Sequence, residues 1–233
     1  MSTRFLSLAM AAIVLLPTSA VAAPSTQPSS RSVSVASATR NARPTTPVLG
    51  DPLRFFVTQF RSEWNPNEAL GRNGNCGPAC VVMAAIAFNR VKAQPQLASR
   101  QVRTARIKGT GQWRPGDGTS VEHLAKGARH YGLDATAETK SSIAALTAHV
   151  QAGGLAICCV APRLIDPSYH SLGHYVLVTA IDKAGVHIND PGRGLIYGGI
   201  RVVPLAKFAQ AWQTNDREAA FIARPDKQPQ TVT

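Results

Sequence analysis

The sequence predicts an α+β domain in which a central buried helix packs on an antiparallel sheet, and three observations predict it. Residues 78–89, PACVVMAAIAFN, are apolar on nearly every side, the mark of a helix enclosed by the core rather than lying on it. Most helical periodicities lie before residue 154 and the β-branched apolar runs cluster after it, which favours α+β over alternating α/β. The chain has 233 residues, 44% hydrophobic and 16% charged, enough for one sizeable core and too few for two ordinary domains. No heptad, collagen-type or solenoid period recurs, so fibres, coiled coils and repeat arrays are excluded.

The elements follow in order. Residues 1–22 read as a secretory signal: Arg4 gives the positive start, residues 5–16 the apolar stretch, and Ala20-Val21-Ala22 a small-x-small cleavage site. That stretch is short of the roughly 20 residues a bilayer-spanning helix needs, so the expected product is secreted or periplasmic and not membrane-spanning. Residues 23–50 hold Ser, Thr, Pro, Ala and Arg with few large apolar side chains and read as a disordered basic linker. The folded unit is expected over 51–225, with a loose polar tail over 226–233.

Within the unit, Pro78 suits the first turn of the central helix. Thr119 and Glu122 have capping-box spacing, Leu124, Ala128 and Tyr131 follow at helical intervals, and Gly132 is the stop. Residues 142–152 form the next predicted helix, closed by Gly153-Gly154. Residues 155–161, 174–181 and 186–190 read as strands, 204–212 as a surface helix with Phe208 and Trp212 inward, and 219–223 as a last strand.

Lys plus Arg number 25 against 13 Asp plus Glu, a net charge of +12 that would draw the protein to an anionic envelope surface. The basic residues are dispersed and few aromatics interleave with them, which argues against specific nucleic-acid binding. The densest run, Arg100, Arg103, Arg106 and Lys108, reads as a solvated face. No Cys-x-x-Cys or His-Glu-x-x-His spacing appears, so neither a metal nor another cofactor is expected.

Four cysteines in an exported chain first raise disulfides. Cys158 and Cys159 are adjacent in a strand and Cys76 and Cys80 one helical turn apart, leaving a bridge from Cys76 to Cys158 or Cys159 as the remaining alternative. Cys80, Cys158 and Cys159 lie in apolar runs and read as buried fillers. Cys76 differs. Asn73-Gly74-Asn75 and Gly77-Pro78 place it on a turn feeding the buried helix, where free backbone N–H groups and the helix dipole favour a thiolate. Its own N–H would face the oxygen of an attacked carbonyl.

A thiolate nucleophile needs an imidazole. His123, His130 and His149 fall in predicted helices, His170 in a loop and His187 in a strand. His174 opens the run HYVLVTAI, which turns at Asp182-Lys183-Ala184-Gly185 into VHIND, ending at Asp190. A turn loop with an odd number of residues sets Asp190 on the face of His174: a loop of three puts it beside Val176, a loop of five beside His174. An even loop sends it to the other face. In place, a carboxylate would hold the imidazole tautomer and stabilise the imidazolium.

Gln59, the run Asn75-Cys76-Gly77-Pro78-Ala79-Cys80, the run Gly173-His174-Tyr175-Val176-Leu177-Val178 and Asn189-Asp190-Pro191 together resemble the papain-fold cysteine peptidases related to bacterial double-glycine leader peptidases, in stand-alone form. The resemblance implies a papain-like fold. It makes Cys76 the nucleophile, His174 general base and acid, Asp190 the orienting carboxylate, and Gln59 the side-chain half of the oxyanion hole. It also implies a monomeric hydrolase of peptide or protein substrates. Transporter-linked leader peptidases are cytosolic and fused to membrane and ATP-binding parts. The signal segment here departs from them, so the double-glycine substrate is not implied. Peptidoglycan amide hydrolysis or transglutaminase-like transfer on the same core is the enzymatic alternative, and an inactive envelope-binding module the non-enzymatic one.

Overall fold

The computed structural model describes residues 50–68, 73–194 and 198–225. The expected signal segment, nearly all of the linker, and the tail lie outside these described residues. After a short turn of 3-10 helix at Pro52–Phe55, the elements are α1 Cys76–Ala87, α2 Pro95–Thr110, α3 Val121–His130, β1 Ala135–Glu138, α4 Ile143–Gln151, β2 Leu155–Val160 and α5 Pro162–Ile165. Then come β3 His174–Asp182, β4 Gly185–Asn189, β5 Ile200–Val203, α6 Leu205–Gln213 and β6 Ala219–Ile222. The six strands form one antiparallel sheet in the order β1-β6-β2-β3-β4-β5.

The sheet is covered on both faces. Ile157, Cys159, Tyr175 and Leu177 turn to one side and pack with α1, α2 and α3, while Cys158, Val176 and Val178 turn to the other and pack with α4 and α6. That alternation explains why β2 reads as a continuous apolar run: every one of its residues is buried. Helix α1 is enclosed, with Gly77 through Ile86 all buried, as its uniform apolarity requires. Phe208 and Trp212 of α6 are inward and fully buried.

Four elements escape the sequence reading. Helix α2 buries Ala98, Val102, Ala105 and Gly109, a helical spacing carried by small residues instead of large apolar ones. They are small because α2 and α3 nearly touch: a Cβ on Gly109 would sit 2.4 Å from the His123 carbonyl oxygen, and one on Gly127 2.8 Å from that of Ala105. Strands β1 and β5 are short edges with half-polar sequences, and α5 is a single turn. The capping box of α3 is also displaced by one residue. Ser120, not Thr119, is the N-cap; its hydroxyl accepts from the His123 N–H, and His123 Nδ1 accepts from the Ser120 N–H at 3.2 Å. An imidazole thus does what the expected Glu122 carboxylate would do.

The basic run on α2 is not uniformly solvated. Arg106 is 1% exposed, and its guanidinium donates to Asn75 Oδ1 (2.7 Å) and to the carbonyls of Gly74, Arg114 (2.9 Å) and Asp117 (3.1 Å). Five donors in a planar fork can satisfy several converging carbonyls at once, which accounts for a buried arginine here.

Candidate active site

Cys76 is the first residue of α1. The N-cap Asn75 makes no side-chain cap, because its Oδ1 is taken by Arg106. The positive end of the helix therefore keeps N–H groups free for another anion. Burial pushes the Cys76 thiol up, but the His174 imidazole beside it and the backbone N–H groups of Tyr175 and Gly77 more than offset this, and its pKa lies below the ordinary thiol value. All four cysteines are free, so the alternative of a bridge from Cys76 does not hold. Cys80 and Cys158 are pushed well up by burial, and Cys159 to about 12.

His174 opens β3, and its Nε2 lies 2.7 Å from Asp190 Oδ1, leaving Nδ1 for the thiol. Burial works against the imidazolium, yet the Asp190 charge and then Cys76 raise the His174 pKa to about 10. Asp190 is 1% exposed and still held below the usual carboxylate range, because His174, Tyr169 and Arg201 outweigh its burial.

The route by which Asp190 reaches His174 differs from the odd-loop expectation. Asp182 pairs with Gly185, so the turn is the even loop Lys183-Ala184, which alone would turn Asp190 away. A bulge at Thr179 reverses the parity: Ala180 pairs with His187, but Val178 pairs with Ile188 and Leu177 with Asn189. One extra residue on β3 flips every later position. Asp190 then falls opposite Val176, diagonal to His174 on the same side.

Sequence reasoning missed the cradle around Asp190. Tyr169 Oη donates to both carboxylate oxygens, at 2.7 and 2.8 Å; Arg201 Nη2 donates to Oδ2 at 2.7 Å; and the Gly192 N–H donates to Oδ1 at 2.9 Å. The Tyr169 ring lies 5.0 Å from the His174 ring and under the Arg193 guanidinium, 4.4 Å from its centroid. Arg193 and Arg201 both reach Asp166, at 2.9 and 3.2 Å, which fastens the segment carrying Tyr169 over the His-Asp pair. Ser168, with these arginines, holds Asp166 down to about 2. A Cβ on Gly192 would fall 2.6 Å from Tyr169 Oη and 2.9 Å from His174 Cε1, so only glycine fits. Arg193-flanking loop residues carry no periodic signal, and nothing in the sequence tied Tyr169 or Arg201 to Asp190.

Gln59, 5% exposed, lines the same cleft as Cys76 and His174. Its Nε2 donates to the Asn73 carbonyl at 3.1 Å, its own carbonyl accepts from Asn73 Nδ2 at 2.9 Å, and its N–H donates to the Pro191 carbonyl at 2.9 Å. Those bonds clip it between the turn before α1 and the turn after β4. Its Oε1 is buried without a partner. The cleft has a volume of about 780 Å³ and runs between the start of α1 and the ends of β2 and β3. His123, His149 and His187 are engaged elsewhere, His149 with the carbonyls of Leu155 and Ile222 and His187 with Asp182. Among the described residues, no group of three or more His, Cys, Asp or Glu side chains is arranged to hold a metal ion.

A thiol of lowered pKa at a helix start, an imidazole and a buried carboxylate are an arrangement fit for acyl transfer. The family model described as "Peptidase_C39 like family" matches residues 56–220. The chain belongs to that family. It is a cysteine-type peptidase of the C39-like kind with a papain-like α+β fold. A protein described as a C39-like peptidase from Bacillus anthracis shares the fold at a TM-score of 0.51 and 18% identity, covering 74% of this chain and 95% of that one. A double glycine motif protease from an AMS/PCAT transporter, solved with its leader peptide, aligns at a TM-score of 0.44 and 20% identity, over 72% of this chain and 96% of that one. No curated protein sequence matches the chain. Among the described residues, no helix of this C39-like chain is long and apolar enough to cross a membrane.

Proposed function

We propose that this C39-like chain is an exported peptidase that cleaves a peptide bond through Cys76, His174 and Asp190. The observation that carries the reading is geometric: Cys76 at the start of α1 shares one cleft with His174, whose Nε2 lies 2.7 Å from the buried Asp190 carboxylate, and the imidazole lowers the thiol pKa in the direction that favours a thiolate–imidazolium pair. The thiolate Sγ adds to the substrate carbonyl carbon, and the oxyanion that develops meets the Cys76 N–H and the Gln59 side chain. His174 gives its proton to the leaving nitrogen as the C–N bond breaks, leaving a thioester. Water, deprotonated by His174, adds to the thioester; collapse expels the Cys76 thiolate, releases the acid and returns the imidazolium. Asp190 holds the ring orientation throughout.

Cleavage of a peptide library by the wild type and by Cys76→Ala tests this. The reading expects fragments with free amines and carboxylates from the wild type alone. Cleavage that survives the substitution contradicts it, and amine-exchanged products point instead to acyl transfer. Export is supported by the n-region, apolar stretch and cleavage pattern of residues 1–22. Amino-terminal sequencing of protein recovered from the cell envelope is expected to start near Ala23, and a start at Met1 contradicts it.

A further inference from the structure

Besides its imidazoles, the cleft is lined by two charged side chains, Arg193 and Glu218. Arg193 is committed to Asp166 and to the Tyr169 ring. Glu218 is engaged only through its backbone, its carbonyl accepting from the Cys159 N–H at 3.1 Å and from Trp212 Nε1 at 2.8 Å. Its carboxylate makes no hydrogen bond or ion pair among the described residues, and burial together with Glu122 and Asp216 raises its pKa.

The strand register fixes the direction of that side chain. Cys158 pairs with Ala219, so Glu218 stands opposite Cys159. It shares the side of the sheet that Cys159 and Ala220 turn toward α1, the side on which the cleft opens. Charge effects agree: Glu218 contributes to the raised pKa values of both Cys159 and Tyr175. Cys159 pairs in turn with Tyr175, and Val160 with His174. Two strand spacings therefore separate Glu218 from the residue next to His174, a span on the order of 10 Å. A side chain one residue from the scissile bond covers such a span when it is long. Gly173 lines the same cleft, where a Cβ would meet Cys159 Sγ at 3.6 Å and Asn215 Oδ1 at 3.3 Å. A partly desolvated carboxylate without a counter-ion is unfavourable by itself, and a cation placed beside it relieves that.

We propose that Glu218 is the wall of a substrate subsite for a lysine or arginine side chain adjoining the scissile bond. The inference rests on the peptidase reading above and adds a substrate class to it. It sets the cleft apart from the rest of the molecule: the net charge of +12 repels cationic peptides at a distance, so selection for them comes from this local carboxylate.

The test measures kcat/KM for peptides that differ only in carrying Lys, norleucine or Glu at each position flanking the cleaved bond, with wild type, Glu218→Gln and Glu218→Lys. Alkylation of Cys76 by iodoacetamide reports an intact site in each protein. At one position the wild type is expected to prefer Lys over norleucine by about tenfold to a hundredfold. Glu218→Gln brings that ratio to within about twofold of unity, and Glu218→Lys inverts it in favour of Glu. A ratio that is the same in the wild type and in an alkylatable Glu218→Gln protein overturns the subsite and leaves the peptidase standing. Failure of the wild type to cleave any peptide, with Cys76 unreactive, overturns the peptidase reading and the subsite with it.

Discussion

Asp190 shows how much one carboxylate is asked to do. It accepts from His174, Tyr169, Arg201 and the Gly192 N–H at once, which uses most of its lone-pair directions and fixes its plane. Its charge is what lifts His174 against the effect of burial. The sign for activity follows. The acid limb of the pH profile belongs to protonation of Cys76 and the basic limb to deprotonation of His174, so the active ion pair spans the interval from a lowered thiol pKa up to about 10. Asp190→Ala removes the anion that favours imidazolium, so the basic limb moves to lower pH and kcat/KM falls by about 10²-fold or more. Arg201→Gln removes a cation from the same cluster, so protonation of His174 becomes easier and the basic limb moves to higher pH. A pH-rate series on the two variants checks both signs, and shifts in the same direction contradict this electrostatic account. Cys76 and His174 were legible from turn chemistry and from a strand that opens on an imidazole. Tyr169 was not, because its link to Asp190 is made by a loop whose path depends on Arg193 and Arg201 lying far off in sequence.

At the scale of an element, the β3-β4 hairpin is the decisive piece. Its strands were legible from β-branched apolar runs, but its parity was not, since Thr179 looks like any other strand residue while serving as the unpaired one. Deleting Thr179 is expected to leave the protein folded and active, because it closes the bulge while Val178 stays opposite Ile188 and Ala180 opposite His187, which keeps Asp190 opposite Val176 and on the side of His174. Loss of activity in a folded deletion variant would contradict the assigned register. Helix α2 was illegible for a different reason. Its packing stripe is Ala98, Val102, Ala105 and Gly109, too small to register as a hydrophobic face, and its one large buried side chain is Arg106. That arginine holds the turn before Cys76 to the segment at 114–117. Arg106→Ala is expected to lower the unfolding free energy by about 3 kcal/mol by leaving several buried carbonyls unpaired, measured by urea denaturation. A change within about 0.5 kcal/mol would return the residue to the solvated face assigned from composition.

For the whole molecule, the balance of core and cross-links matters. Both faces of the sheet are covered by helices, and the fold holds together with four free thiols. Reductant is therefore expected to leave Tm unchanged, and a thiol reagent to titrate one cysteine in the native protein, Cys76, and four after denaturation. The α+β class was legible because segregation of helices and strands depends on pattern alone, whereas the strand order, with the last strand inserted between β1 and β2, depends on long-range pairing that no local pattern encodes. The central claim is that Cys76 rests as a thiolate against the His174 imidazolium. Its most direct measurement is the rate of Cys76 alkylation by iodoacetamide as a function of pH, in the wild type and in His174→Ala. The account predicts a reactive plateau that begins well below the ordinary thiol pKa in the wild type and is lost in the variant. A single rise near the ordinary thiol pKa, the same in both proteins, would contradict it.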